Sequence, residues 1–177
     1  MVIKAHGLIV AVGIIASLVI LGGCQQRTRI TSPLPMNYAA GDAEAEMAFW
    51  HGLADRPAVN NNEAFHALIA FHRSQGDEAK SYQKRVQYLK DQGFLAESFD
   101  RPAKATVRRG TVAQVLAPML EIEGGVTMRL VGNHPRYALR ALVEKDIMPE
   151  SSVQQGLTGI QFVGIIDRAR QYAERQQ

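Results

Sequence analysis

Arg108 and Arg109 stand side by side at the head of "RRGTVAQVLAPML", an apolar stretch with helical spacing. Two guanidinium groups at a helix N-terminus, beside the N–H groups that a first turn leaves without intrahelical partners, would form a pocket for an anion. The alternative is a pair of solvated surface charges at a loop–helix junction, which needs no ligand. Other chemistry is sparse. "EAFH" puts Glu63 and His66 three residues apart on one helical face, half of the Glu-x-x-His arrangement of di-iron bundles, but no second copy follows. None of the five histidines has the i, i+4 spacing of a helical zinc site. A G-x-S-x-G elbow and a phosphate-cradling glycine loop are both missing. The pattern predicts no catalytic residue, no metal site and no cofactor, so the chain is not expected to be an enzyme.

Helices must position these residues. Met47, Trp50 and Leu53 share one side of a first stretch, Tyr82, Val86 and Leu89 of a second, and Leu139, Leu142 and Val143 of a third. Each leads through a loop into another apolar helix, carrying Phe65, Leu68 and Ile69, then Val112, Val115, Leu116 and Met119, then Phe162, Ile165, Ile166 and Ala169. The second helices are expected to start at Asn60, Arg108 and Thr158, which lie 48 and 50 residues apart, the mark of a tandem supersecondary unit. "NNNE" and "TGIQ" offer capping boxes through Asn60 with Glu63 and Thr158 with Gln161, whereas "RRGT" has lost both partners. Pro118 should kink or end its helix. The reading is all-α: three helix–loop–helix units at about 44–75, 79–121 and 134–173, within a domain over 42–177. The β-branched residues of "VTMRLV" argue weakly for a strand in the link between the second and third units.

The N-terminus reads as an address. Lys4 precedes an apolar run from Leu8 to Leu21, the layout of an export signal, and the run is short for a membrane-spanning helix. Its end, "LGGC", resembles the lipobox of bacterial lipoproteins. That resemblance implies cleavage after residue 23 and lipid on Cys24, the sole cysteine, whose thiol otherwise has no partner within the chain. Acyl chains would hold the protein to a membrane at about 0.8 kcal/mol per buried CH₂. Gln25 follows the cysteine where an aspartate could stand, which implies the outer membrane if the source has two membranes. Residues 24–41, polar with Pro33 and Pro35, read as a flexible tether. The net charge of +3 falls to +2 once Lys4 leaves, too small an excess to point to nucleic acid.

A leading helix ending in "GFL" or "DIM", a loop, then a short start motif and an apolar helix is similar to the S-layer homology repeat. The similarity runs over roughly 44–172 in "LADRPAVNNNEAFHALIAFH", "FDRPAKATVRRGTVAQVLAPML" and "MPESSVQQGLTGIQFVGIIDRA". It implies a three-unit helical bundle that binds acidic cell-wall polysaccharide through an arginine and its neighbours in the start motif. In this chain the arginine position holds Asn61, Arg109 and Gly159, and the glutamate position holds Glu63, Thr111 and Gln161. Arg108 and Arg109 are thus the expected ligand-binding residues. The expected role is attachment of a lipid-anchored domain to cell-wall polysaccharide or a surface-layer component. The alternative is a membrane-tethered adaptor for an envelope protein.

Overall fold

A computed structural model describes residues 33–39, 41–73, 77–122 and 134–176. Six helices make up the described fold: α1 (Ala43–Ala54), α2 (Asn61–His72), α3 (Tyr82–Asp91), α4 (Arg109–Met119), α5 (Pro135–Glu144) and α6 (Gly159–Gln176). No strand occurs among the described residues beyond two isolated bridges, Asn60 with Thr106 and Arg108 with Gly156. The protein is all-α, as its 3.6-residue periodicity predicts. Cys24 and "VTMRLV" lie outside the described residues.

Local chemistry sets the helix starts. Asp42 Oδ1 accepts from the Ala45 amide at 3.1 Å, and Ser81 Oγ from Lys84 at 3.3 Å. Asn60 and Glu63 close a reciprocal box, with Glu63 N–H donating to Asn60 Oδ1 at 2.8 Å and Asn60 N–H to Glu63 Oε2 at 3.2 Å. Thr158 and Gln161 form a looser one at 3.4 and 3.3 Å. Arg108 caps without a side-chain bond, and α4 ends one residue beyond Pro118. The second helices thus start at positions 61, 109 and 159, one residue after each expected start.

Each second helix pairs with a leading helix: α2 with α3, α4 with α5, and α6 back on α1. Leu68, Leu116 and Ile166 are buried with Phe65, Val115, Phe162 and Ile165. The leading helix α1 departs from the sequence reading: Phe49 and Leu53 enter the core, while Met47 stays 55% exposed. Both Met47 and Phe49 fit an amphipathic stripe; Phe49 packs edge-on against His66 of α2 at 4.5 Å, while Met47 lines a surface groove beside α6.

The three pre-helix loops close on one another in a ring. Val107 N–H donates to Val59 O at 2.9 Å, Val59 N–H to Leu157 O at 2.9 Å, and Arg108 bridges to Gly156. Val59, Val107 and Leu157 are spaced as the helix starts are, and all three are buried. The first amide of each second helix also donates into a neighbouring unit: Asn61 to Ala105 O and Arg109 to Gln155 O, both 2.9 Å, and Gly159 to Arg56 O at 2.8 Å. A helix leaves its first N–H groups without internal partners. Here the next unit supplies the acceptors, so no unit satisfies its own helix starts alone.

The packed domain also extends N-terminal to the expected boundary at 42. Leu34, Met36 and Tyr38 pack against the core, so the stretch read as free tether is partly bound to the domain.

Candidate anion-binding groove

Between the second and third units lies a groove of about 420 Å³, a size that suits a small ligand. Its walls include Phe99 and Arg101 from the loop before α4, Arg108 and Thr111 at the α4 start, and His134 at the α5 start. The loop bearing Arg101 is held from below. Tyr82 donates its hydroxyl hydrogen to Arg101 O at 2.6 Å, and Phe65 packs against both Phe99 and Tyr82, with ring centroids 5.5 and 5.9 Å away.

Sequence reasoning paired Arg108 with Arg109; the fold pairs Arg108 with Arg101. Arg108 is half-buried in the groove wall, whereas Arg109 is only 3% exposed and points into the interior. There Arg109 Nη2 donates to Gln161 Oε1 at 3.1 Å, while its Nε and Nη1 are buried with no partner among the described residues. Burial pulls this guanidinium below its ordinary pKa. The equivalent positions Asn61 and Gly159 are buried too, since the first residue of each second helix faces the neighbouring unit. The expected contribution of free helix N–H groups is also absent. The amides of Arg109 and Gly110 donate to Gln155 O and Val153 O, and those of Thr111 and Val112 to Arg108 O. An anion in this groove would be held by side chains, with the α4 backbone already engaged.

Arg101 escaped the sequence reading, although a signal for it exists. The tetrapeptide Asp-Arg-Pro-Ala occurs at 55–58 and again at 100–103, three residues further from the helix start in the second unit, so Arg101 repeats Arg56 in motif but not in register. Arg56 Nη2 pairs with Glu63 Oε1 at 3.1 Å. In the second unit the glutamate position is Thr111, and neither Arg101 nor Arg108 forms an ion pair among the described residues. Burial and then the positive charge of Arg108 pull the Arg101 guanidinium down from its ordinary pKa. An anionic ligand would relieve that repulsion.

Glu63 and His66, the half-motif for a metal, serve separate networks. Glu63 caps α2 and pairs with Arg56. His66, fully buried, lies between Asp77 (Nδ1 to Oδ2, 2.7 Å) and the Tyr38 hydroxyl (Nε2 to O, 3.0 Å). Arg85, 2% exposed, donates through Nε to the same Asp77 oxygen and through Nη1 to Asn62 Oδ1 at 2.8 Å. No group of three metal-ligating side chains occurs among the described residues.

Comparison with known proteins returns no match: no protein-family model, curated protein or solved structure is significantly similar to this chain.

Proposed function

We propose that this chain is a non-catalytic envelope lipoprotein, held to a membrane by lipid on Cys24, whose helical domain attaches to an acidic cell-wall polymer through the groove between its second and third units. The anchor rests on "LGGC" and is checked by intact-mass measurement of membrane-extracted protein, where acyl mass on a chain beginning at Cys24 is expected. The polymer reading rests chiefly on one observation: two arginines line an open groove with no carboxylate paired to them among the described residues, beside the ring of Phe99. Guanidinium groups recognise carboxylates and phosphates through paired hydrogen bonds, and an aromatic face suits a sugar ring beside them. The S-layer-homology-like reading of the three units draws support from their spacing and from the ring of loop-to-helix hydrogen bonds.

Arg101→Ala and Arg108→Ala should each weaken binding to protease-treated envelope fractions about ten- to a hundredfold, since a hydrogen bond to a charged group contributes roughly 1.5–3 kcal/mol and 1.4 kcal/mol is a factor of ten. Arg109→Met serves as control. It removes a buried charge with two unpartnered N–H groups, so binding should stay within about twofold and the melting temperature should rise. Wild-type affinity in both groove variants would end the polymer reading.

A second groove favours the adaptor alternative. It lies between α1 and α6, measures about 500 Å³ and is lined by Met47, Trp50, Val163 and Ile166, a surface suited to an apolar partner side chain. Loss of binding after protease treatment of the fractions would select that reading.

A further inference from the structure

We infer that residues 33–39 are a built-in occupant of the first of the domain's equivalent grooves, so that the chain itself closes that groove and leaves the one between the second and third units open. A shift of 48 residues carries Asn62, Glu63 and His66 onto Gly110, Thr111 and Gln114, three residues that line the open groove. In the first unit two of these positions are covered. The Asn62 side-chain amide donates to Met36 S at 3.8 Å, and the Tyr38 hydroxyl meets His66 Nε2 at 3.0 Å, with the Tyr38 ring edge-on to the imidazole at 5.4 Å.

The segment is built for this place. Leu34, Met36 and Tyr38 are half-buried while Pro33, Pro35, Asn37 and Ala39 are exposed, the two-residue alternation of an extended chain with one face packed. Pro33 and Pro35 restrict the backbone to extended conformations before docking, which lowers the entropy lost on docking. The seat is equally specific. Asp77 is ionised and can only accept, so His66 donates to it from Nδ1, which fixes the ring with its Nε2 edge towards the Tyr38 hydroxyl. Asp77 and Asn62 are in turn fixed by Arg85. Where the segment crosses α1, Leu34 Cδ2 fills the space that a side chain at residue 52 would take, 2.7 Å from the position of a Cβ on Gly52. Burial pushes the Tyr38 hydroxyl pKa up to about 12, as expected of a phenol held away from water.

The consequence is a module with unequal grooves. The first holds its own chain, with Glu63 paired to Arg56, and the second is open and carries two arginines with no ion pair among the described residues. The inference stands whether the open groove takes a polymer or nothing. It also bounds the leash: from Cys24 to the start of the docked segment at Pro33 a chain of that length can reach at most about 30 Å.

The test is thiol accessibility in the full-length protein, read by maleimide labelling and site-by-site mass spectrometry, so that labelling at any other cysteine is counted separately. Asn62→Cys reports on the first groove and Gln114→Cys on the open one. With the native segment, the thiol at 62 should label about tenfold more slowly than the thiol at 114. Gly52→Glu, in the last turn of α1, displaces Leu34 from outside the groove, and glutamate has a higher helix propensity than glycine. In that background the thiol at 62 should label about tenfold faster while the rate at 114 is unchanged. Leu34→Asp with Met36→Asp and Tyr38→Asp is the second displacement and should act alike, with circular dichroism reporting an intact fold. Equal labelling at 62 and 114 with the native segment overturns the inference, as does failure of both displacements to speed labelling at 62.

Discussion

Gly159→Ala should destabilise the domain by more than about 3 kcal/mol, a cost at or beyond the usual range for overpacking. A Cβ at this position would lie 1.8 Å from Leu53 O and 2.7 Å from Ala54 O. Both are backbone atoms at the end of α1, and no rotamer change relieves the overlap. The shift needed would also pull the Gly159 amide from Arg56 O, one of the bonds that join the third unit to the first. In a domain of this size the loss corresponds to a melting-temperature drop of roughly 6–12 °C. Gly164→Ala, in the same helix, meets only Arg168 Nη1 at 3.6 Å and should be neutral or stabilising. If the two variants melt together by circular dichroism, α6 does not close on α1 as described. The result also bears on the sequence reading, in which Gly159 stands where the resemblance places an arginine. No side chain fits there, because the residue lies where two units touch.

Asp77→Asn should cost about 3–5 kcal/mol, the usual result of removing one partner from a buried charge pair. The carboxylate is fully buried and serves both Arg85 and His66, and the variant would leave the Arg85 cation inside the protein without its counter-charge. Burial by itself pushes the Asp77 carboxyl up, but hydrogen bonds from His66 and Arg85, the Arg85 charge and the Ala79 amide outweigh it, so the group lies below its ordinary 3.8. Stability from a depressed carboxyl is present above the unfolded value and lost as pH falls through the folded one. The wild type should therefore lose stability below about pH 4, and Asp77→Asn should flatten that slope in urea titrations. Glu63 acts in the opposite sense: burial raises it above 4.5 despite its bonds to Asn60 and Arg56, so its contribution declines as pH rises through the folded value. A variant as stable as wild type with an unchanged acid slope would show that the pair is not closed in solution.

The second-helix starts were legible because capping is local. Asn60 with Glu63 and Thr158 with Gln161 lie within one turn of each other, and even the uncapped start at Arg108 followed from the interval between the other two. The all-α class followed in the same way from apolar spacing, since a 3.6-residue stripe arises along one stretch of chain. The site was less legible. Adjacency in sequence made Arg108 and Arg109 look like partners, but consecutive residues at a helix start point about 100° apart, so one faces the groove and the other the interior. Arg101 was marked only by a repeated tetrapeptide, whose second copy stands three residues further from its helix start, so its place beside Arg108 in the groove wall came from the fold.

Composition placed residues 33–39 in a polar tether; the alternation of Leu34, Met36 and Tyr38 was the one local signal against it, and it could not name the groove, which is assembled from α1, α2 and the His66–Asp77–Arg85 network. The same holds for Met47 and Phe49, either of which could have led α1 into the core. Sequence by itself determined what is decided within a turn or two of chain: the helical class, the helix starts and the lipobox-like "LGGC". The tertiary structure decided which arginine meets solvent, which glycine admits no side chain and which groove stays open. Those outcomes depend on groups brought together from residues dozens of positions apart, where distance in space and access to water set the interaction and sequence separation carries no information about either.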